Sequence, residues 1–421
     1  MSPVAHLPRI VKKFALLLAS LALALVAGCG GSDKGSSAEP PSDFRVQAGD
    51  GSAIVTWTAE PETEYWIFFG LGPDITTANW ATRGGVAITN AVSPRIITGL
   101  TNGVTYSFTI NARKNKGPGG TGAPTQVIVP LLAGDNWAPG APLGTQNLNG
   151  IAAGTFVNGF NIAAVGDAGA LFSSVSNGPM TARTNPLPTT NLHGVAYGIA
   201  GFIAVGDNGL VLQSTNAIDW TQQTSGTVQH LNAAVSNSTG AYVAVGRGGT
   251  VVTSSDGGTS WTTPGSGTLG DLYGVTWGAQ RFVAVGAEGL IVTGQTGSDW
   301  SQPEPLTQRT LRAAAFGALL VSGATAATNV YVVVGDGGTV LTSNDTGTWT
   351  LQPPFTTKNL RGVTFGGRFV AVGEDGAIFT STDGVSWQAR TSGTTADLNA
   401  VARQISGYTA VGEAGTNTST F

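Results

Sequence analysis

The sequence predicts an all-β protein, in which an immunoglobulin-like sandwich is followed by a seven-bladed β-propeller. Of the 421 residues, 62 are glycine and only 10% are charged, a composition typical of short strands joined by tight turns. In addition, a Val-Gly step recurs about every 40 residues from residue 131 onward, the period of one four-stranded propeller blade. The glycines of these steps are Gly166, Gly206, Gly246, Gly286, Gly335, Gly373 and Gly412.

The N-terminus has the pattern of an export signal. Arg9, Lys12 and Lys13 precede an apolar run that is too short to cross a bilayer. The small residues that follow lead to Cys29, and this arrangement resembles the lipobox of bacterial lipoproteins. The resemblance implies a signal peptide over residues 1–28, lipidation of Cys29 and attachment to the outer membrane, with the periplasmic or outer face left open. The alternative is an ordinary secretory signal with an incidental cysteine.

Composition limits the remaining classes of partner. Residues 29–43 are polar and rich in Gly, Ser and Pro, which predicts a flexible tether. Cys29 is the only cysteine, so core packing alone must hold the exported fold. The net charge of −4 argues against a nucleic-acid partner. We expect no cofactor, and we expect a monomer.

Residues 41–130 contain about seven short strands with alternating apolar residues, the pattern of an immunoglobulin-like sandwich. Trp57 in the second predicted strand, Tyr65 in the third and Tyr106 after a Gly-Leu-Thr-Asn-Gly segment resemble the fibronectin type III family. The resemblance implies that Trp57 lies in the core and that Tyr106 forms the tyrosine corner. The expected loop lacks Arg-Gly-Asp, so integrin-type adhesion has no support.

Residues 131–421 hold the repeats. Each repeat has an inner strand that begins with Leu, a second strand that ends in Val-Gly, a third strand and an outer strand next to a Trp. The seventh repeat stops at Phe421 before its outer strand. We therefore predict that the segment around Trp137 supplies that strand and closes the ring without an open edge. The fifth repeat is longer because Leu319–Asn329 is inserted between its first two strands.

Two repeats carry a clear Asp-box motif. Residues 254–261 fit Ser-x-Asp-x-Gly-x-x-Trp, and residues 381–387 form a version one residue shorter. We interpret the motif as structural, because its carboxylate accepts N–H groups across a turn and its Trp packs between blades. The residues with these roles are Asp256, Trp261, Asp383 and Trp387. Asp-box repeats also occur in sialidases, but the Arg-Ile-Pro signature of that family is missing here.

One position of the repeat is always polar or aromatic and differs between repeats, namely the residue after the Leu that opens each inner strand. Inner strands line the channel of a propeller, and strand alternation places this residue opposite the Leu. We predict a ring of side chains at one channel mouth, with two arginines that can hold an anionic or sugar-like group. The alternative is a solvated channel wall without a ligand. The seven residues are Asn149, His193, Asn232, Tyr273, Arg312, Arg361 and Asn399.

We predict no metal site, because the Gly-Asp-Asn-Gly type turns offer one or two carboxylates whereas Ca²⁺ needs six to eight oxygens. His193 and His230 are interpreted as solvated or channel-lining residues rather than catalytic ones.

The repeats over residues 148–421 resemble the family of photosystem II assembly factors, which are seven-bladed propellers with the same Leu-x-Gly-Val and Val-Gly-x-x-Gly pattern. The function of that family depends on an arginine-rich surface, and this chain has few arginines, so the resemblance implies the fold only. Our functional hypothesis is a non-catalytic, lipid-anchored envelope scaffold whose propeller binds a protein or a polysaccharide. A glycan-acting hydrolase is the first alternative, and an envelope assembly factor is the second.

Overall fold

The computed structural model describes residues 35–156, 159–176, 178–319, 327–405 and 407–420. The predicted signal peptide, Cys29 and the first part of the predicted tether lie outside these residues. Within them, the regular structure consists of β-strands and seven single turns of 3-10 helix, which confirms the all-β prediction. None of the described residues belongs to a helix of the length and apolarity needed to cross a membrane.

The chain divides into two compact units. The first comprises the described residues up to Gln47 together with Ile54–Ile97 and Val104–Val129, and the second comprises Ala48–Ala53, Thr98–Gly103 and the chain from Pro130 onward. The first eight strands are β1 (Ser36–Ala38), β2 (Arg45–Gly49), β3 (Ser52–Thr56), β4 (Thr63–Leu71), β5 (Val86–Ile88), β6 (Arg95–Thr98), β7 (Tyr106–Lys114) and β8 (Gln126–Ile128). They form a three-stranded sheet in the order β2-β3-β6 and a five-stranded sheet in the order β1-β7-β4-β5, with β8 also paired to β7.

Aromatic side chains fill the core of the first unit. Trp57 and Tyr65 are both buried, with ring centroids 5.4 Å apart. The Tyr65 hydroxyl accepts a hydrogen bond from the Glu60 N–H at 2.9 Å. Phe69 and Phe108 stack face to face on the paired strands β4 and β7, with centroids also 5.4 Å apart. These contacts explain why the alternating aromatic positions of the sequence predict strands.

The predicted flexible tether over residues 29–43 differs from the structure in its described part. Ser36–Ala38 forms β1, which pairs antiparallel with the end of β7, so that Ser36 lies opposite Lys114. The sequence of β1 does not alternate between apolar and polar residues. Backbone hydrogen bonds to the edge of β7 hold this strand in place. Such pairing depends on the partner edge and leaves no pattern in the sequence of β1 itself.

The second unit consists of seven consecutive antiparallel sheets, numbered here as ring sheets 1 to 7. Ring sheet 1 contains β10 (Leu148–Phe156), β11 (Gly159–Gly166), β12 (Leu171–Ser174) and β13 (Thr181–Ala182), and ring sheet 2 contains β14 (Leu192–Gly198), β15 (Gly201–Gly206), β16 (Val211–Ser214) and β17 (Thr221–Gln223). Ring sheet 3 contains β18 (Leu231–Ser236), β19 (Tyr242–Gly246) and β20 (Val251–Ser254), and ring sheet 4 contains β21 (Leu272–Gly278), β22 (Arg281–Gly286) and β23 (Ile291–Gly294). Ring sheet 5 contains β24 (Leu311–Leu319), β25 (Thr328–Gly335), β26 (Val340–Ser343) and β27 (Thr350–Leu351), and ring sheet 6 contains β28 (Leu360–Phe365), β29 (Phe369–Gly373), β30 (Ile378–Ser381) and β31 (Gln388–Arg390).

Ring sheet 7 joins the two ends of the second unit. It contains β32 (Leu398–Arg403), β33 (Tyr408–Gly412) and β34 (Asn417–Thr420), and its fourth strand is β9 (Ala138–Pro139), which precedes ring sheet 1 in the chain. Ala138 lies opposite Ser419 in this pairing. The first strand of each sheet contacts the first strand of the next sheet, and β32 contacts β10. The seven first strands therefore form a closed circle.

The outer strands are the shortest strands of the ring sheets. In ring sheets 3 and 4 the outer strand is reduced to a single bridge, Thr253 with Thr262 and Thr293 with Ser301. The insertion predicted at Leu319–Asn329 lengthens the hairpin of β24 and β25, in which Leu319 lies opposite Thr328. Residues 320–326 of that insertion lie outside the described part of the chain.

The apolar core of the second unit lies between the sheets. Each of its seven buried clusters combines residues from two neighbouring ring sheets, including a cluster of sheets 7 and 1. Six of the clusters contain a tryptophan, and the cluster between sheets 7 and 1 contains Met180 instead. These tryptophans are Trp137, Trp220, Trp261, Trp300, Trp349 and Trp387, and Trp277 packs in the same cluster as Trp300.

Candidate functional site

The seven variable positions of the repeat share one backbone feature. In every ring sheet, the pairing of the first two strands shifts by one residue directly after the opening Leu. In ring sheet 2, for example, Leu192 lies opposite Gly206 and Gly194 lies opposite Val205, so His193 is the extra residue of a β-bulge. A bulge redirects a side chain out of the ladder, which strand alternation alone does not anticipate.

The bulge residues of all seven sheets line one cavity of about 180 Å³. Because Leu192 lies opposite Gly206, the start of the first strand and the end of the second lie at the same end of the sheet. The 3-10 turn that follows each Val-Gly step is therefore at this end as well. We call this end of the second unit the turn face. The turns are Asp167–Gly169, Asp207–Gly209, Arg247–Gly249, Ala287–Gly289, Asp336–Gly338, Glu374–Gly376 and Glu413–Gly415.

The three asparagines of the ring connect neighbouring sheets. Each donates its side-chain amide to the carbonyl oxygen of the Leu that opens the following sheet, at distances of 2.7 to 3.0 Å. The pairs are Asn149 with Leu192, Asn232 with Leu272, and Asn399 with Leu148. These side chains therefore have a structural role at the same positions that line the cavity.

The two arginines of the ring are already paired with carboxylates. Arg312 donates through two guanidinium nitrogens to Asp336. Arg361 contacts Asp397 at 2.6 Å and Glu374 at 3.7 Å, and it also donates to Asn399 at 3.0 Å. Their charges are thus largely neutralised within the turn face. This pairing weighs against the expectation that the arginines hold an anionic ligand, which stays a prediction.

The bonds around Arg361 also shift the pKa of Glu374. The backbone N–H and the side-chain amide of Asn359 both donate to this carboxylate, and Arg361 adds a nearby positive charge. Together these interactions outweigh partial burial and lower the pKa of Glu374.

The pKa of Tyr273 is shifted in the opposite direction. Burial, together with the nearby charge of Asp271, raises the pKa of its phenol. The Tyr273 hydroxyl lies 3.4 Å from the Asp271 carboxylate.

His193 and His230 converge on one carboxylate. His193 Nε2 lies 2.7 Å and His230 Nδ1 lies 2.5 Å from the same oxygen, Oδ1 of Asp207. The other carboxylate oxygen accepts a hydrogen bond from the Asn191 side chain at 3.0 Å. Burial opposes ionisation of Asp207, but the hydrogen bonds and charges of the two histidines outweigh it and lower the pKa of this carboxyl.

A second ring of polar residues was missed by the sequence analysis. The residue directly before the opening Leu, called here the interlock position, is Asn or Asp in five of the seven repeats. In all five, its side-chain oxygen accepts the N–H of the central residue of the preceding sheet's turn, at 2.7 to 3.1 Å. In the sequence, this ring is marked by a polar residue that recurs directly before the opening Leu. The five residues are Asn147, Asn191, Asp271, Asn359 and Asp397.

The Asp-box residues lie away from the cavity, in turns at the opposite end of the sheets. Asp256 accepts hydrogen bonds from the N–H groups of Thr259 and Ser260 and from the hydroxyls of Ser254 and Ser260. Trp261 donates its indole N–H to the Gly258 carbonyl at 2.9 Å.

The shorter Asp-box has the same arrangement. Asp383 accepts the N–H groups of Val385 and Ser386, and Trp387 donates to the Gly384 carbonyl at 3.2 Å. Trp137, which has no Asp-box around it, makes the equivalent bond to the Gly134 carbonyl at 2.9 Å.

Two large apolar side chains are exposed on the turn face. Val228 and Leu269 are 81% and 90% exposed, and both lie three residues before the opening Leu of adjacent ring sheets 3 and 4. Two open grooves of 810 and 720 Å³ also reach this face. Asp375 and Lys358 line the larger groove, and Asp207 and Val228 line the smaller.

The chain matches no protein-family model, and no curated protein sequence matches it. Its fold is similar to that of two solved structures of YCF48, one bound to a D1 peptide (TM-score 0.55, 16% identity) and one from Cyanidioschyzon merolae (TM-score 0.53, 15% identity). It is also similar to the WD40 β-propeller domain of Doa1, with a TM-score of 0.52 and 14% identity. Each match covers 68% of this chain and 94%, 98% and 97% of the respective structure. These similarities confirm the prediction of a β-propeller, and at such identities they show the fold alone.

Proposed function

We propose that this chain is an exported envelope protein, anchored by lipid at Cys29, in which a fibronectin type III sandwich precedes a seven-bladed propeller. The propeller is a non-catalytic scaffold that binds a protein partner through its turn face. The observation that carries the proposal is the convergence of seven repeat-variable bulge residues on one cavity at that face. The constant residues of the repeats build the ring, whereas the variable residues line its mouth, where the three asparagines also bond neighbouring sheets.

The size of the cavity favours a protein side chain as its occupant. Its volume is about 180 Å³. Pockets for complete small-molecule ligands commonly measure about 300–1,000 Å³. An oligosaccharide therefore does not fit inside the cavity, whereas one polar side chain of a docked protein does.

Two exposed apolar residues on the turn face supply the second part of the proposed protein-binding surface. Val228 and Leu269 are exposed to solvent in the segments that lead into ring sheets 3 and 4. Exposed apolar groups within a polar rim are typical of protein interaction sites, where a few buried side chains contribute most of the binding energy. One propeller of similar fold, YCF48, has been solved with a bound D1 peptide, which supports this class of partner.

Acid–base features of the turn face weigh against the hydrolase alternative. A glycosidase needs a general acid whose pKa is raised toward neutrality. Asp207 and Glu374, whose carboxyl groups lie on this face, both have lowered pKa values because they accept hydrogen bonds from neighbouring groups. The two open grooves are large enough for part of a polysaccharide chain, so the experiment below also tests for polysaccharide binding.

Site-specific crosslinking tests the proposal in cells that produce the protein. A photoreactive benzoylphenylalanine replaces Val228 or Leu269 in the full chain. The matched control places it at Ile199, which is 75% exposed at the opposite end of ring sheet 2. We expect a discrete protein adduct from the turn-face positions and none from Ile199. Adducts from Ile199 alone, or glycan-array binding by the chain without any protein adduct, would contradict a protein-binding turn face.

The lipid anchor is tested by fractionation of cells that produce the Cys29→Ser variant. Without the acylated cysteine, the variant should leave the membrane fraction.

A further inference from the structure

The two histidines of the described chain meet at a single acidic residue although they lie in different sheets. His193 is the bulge residue of ring sheet 2, and His230 is the interlock residue of ring sheet 3. One ring nitrogen of each and a carboxylate oxygen of Asp207 lie within 4.8 Å of one another. The chain contains three histidines in all, and the third, His6, lies in the predicted signal peptide. Both remaining histidines thus occupy one site.

These residues depart from the pattern of the repeats that carry Asn or Asp at the same positions. At the interlock position, Asn or Asp accepts an N–H from the preceding turn, but His230 makes no such bond to the Asn208 N–H among the described residues. At the bulge position, Asn149 bonds both its own turn and the next sheet, whereas His193 bonds its own turn at Asp207 and sets its ring edge-on to that of His230. His230 still joins ring sheets 2 and 3, but it does so through the Asp207 carboxylate, so that a His-Asp-His cluster stands where the other repeats have amide and carboxylate side chains bonded to backbone groups.

We propose that His193 Nε2, His230 Nδ1 and Asp207 Oδ1 bind one divalent transition-metal ion, of which Zn²⁺ is the best match. Imidazole nitrogen and carboxylate oxygen bind Zn²⁺ at about 2.0–2.2 Å, which places tetrahedral ligands about 3.3–3.5 Å apart. The histidine nitrogens lie 2.7 and 2.5 Å from the carboxylate oxygen. An ion is accommodated if each nitrogen moves outward by less than about 1 Å.

The surroundings suit an ion that enters from water. Both histidine side chains are 28% exposed and that of Asp207 is 20% exposed. His193 lines the central cavity, and Asp207 lines the open groove beside it. Asn191 donates to Oδ2 of Asp207 and so directs Oδ1 toward the histidines, as partners of metal-binding carboxylates commonly do. Three protein ligands leave a fourth position for water or for a donor atom of another molecule.

The test uses the purified chain without a histidine tag, stripped of metal by a chelator and titrated with Zn²⁺ by calorimetry at neutral pH. We expect one Zn²⁺ per chain, and Co²⁺ in its place should give the visible absorption of a tetrahedral ion. His193→Asn and His230→Asn restore the residues found in other repeats, so both variants should fold. Each should lose the stoichiometric binding.

Asp167→Asn is the matched control, because Asp167 occupies the position of Asp207 in ring sheet 1 but is flanked by asparagines. This variant should bind Zn²⁺ like the unmodified chain. The proposal is overturned if the unmodified chain takes up no more Zn²⁺ than the His193→Asn/His230→Asn double variant. It is also overturned if binding persists in both single variants. Circular dichroism of each variant confirms that loss of binding is not loss of fold.

Discussion

The glycine of each Val-Gly step is required by the close approach of two backbone segments. A Cβ atom on Gly206 would lie 2.1 Å from the carbonyl oxygen of Asn191, and the same oxygen accepts the Asp207 N–H at 3.0 Å. At all seven steps the corresponding separation is between 1.8 and 2.2 Å. Any side chain would therefore break the bond that joins the start of the first strand to the turn. This contact explains why the step recurs so regularly in the sequence.

The Asp-box carboxylate of Asp256 also acts on a single turn, and its effect should depend on pH. Hydrogen bonds from Ser260 and from the Ser254 hydroxyl lower the pKa of Asp256 to about 2, from a usual value of 3.8. Because the pKa is lower in the folded chain, the ionised carboxylate favours folding above about pH 4, and this contribution is lost as pH falls through about 2. We expect Asp256→Asn to unfold at lower urea concentration than the unmodified chain at pH 6.

The same measurement repeated at lower pH checks the cause. The difference in urea midpoint between Asp256→Asn and the unmodified chain should shrink below about pH 4 and be small near pH 2. Glu304→Gln is the control, because Glu304 is exposed in an irregular segment. A difference for Asp256→Asn that stays constant down to pH 2 would contradict the role of the ionised carboxylate.

At the level of elements, the short strand β9 depends on contacts outside its two paired residues. Just before it, Asp135 contacts the guanidinium groups of Arg368 and Arg390, both at 2.7 Å. The Arg368 side chain is only 7% exposed, and it also donates to the Thr380 hydroxyl at 2.8 Å. The segment that completes ring sheet 7 is thus held by an ion-pair cluster to ring sheet 6 as well as by strand pairing.

We expect Asp135→Asn to lower the free energy of unfolding by about 2 kcal/mol. Removal of one partner of a fully buried ion pair costs about 3–5 kcal/mol, and the Asp135 side chain is 30% exposed, which reduces the cost. Chemical unfolding measures the change, and hydrogen exchange of β34 should increase. Glu304→Gln again serves as the acid-to-amide control. Exchange in β34 that matches the unmodified chain would show that strand pairing alone holds the ring closed.

The elements that were predicted correctly are those whose own residues carry a period. Each opening Leu and each Val-Gly step marks a strand boundary, because both sites are fixed by close packing at the bulge. The edge strand β1 and the short strand β5 were missed, since three residues do not establish a period and their pairing is set by the neighbouring strand. The outer strands predicted next to Trp261 and Trp300 are single bridges in the structure, and both Trp side chains pack between sheets.

The candidate site was predictable only in part for a similar reason. The variable position was identified from the sequence, and the structure places all seven residues around one cavity. Their contacts were not predictable, because they depend on the stagger between neighbouring sheets. The pairing of Arg361 with Asp397 and the meeting of His230 with Asp207 both cross from one sheet to the next.

For the second unit as a whole, the position of the apolar core has a consequence for unfolding. Among the described residues of this unit, every buried cluster combines residues from two sheets. The loss of one sheet exposes apolar surface on both of its neighbours. We therefore infer that the ring unfolds as one cooperative unit rather than sheet by sheet.

This cooperativity is tested by two substitutions in distant junctions. Val205 and Val372 are fully buried, in the clusters between ring sheets 2 and 3 and between sheets 6 and 7. Val205→Ala and Val372→Ala should each lower the free energy of unfolding by about 2 kcal/mol, and their effects should add, because the two sites share no neighbours. Val385→Ala, at a valine that is 47% exposed, is the matched control and should leave stability unchanged.

Hydrogen exchange in urea, followed by mass spectrometry, reports each sheet separately. In both core variants the inner strands of all seven sheets should lose protection at the same urea concentration, since each sheet relies on its neighbours for burial. Early loss confined to the sheets that flank the substituted valine would show that the junctions unfold independently.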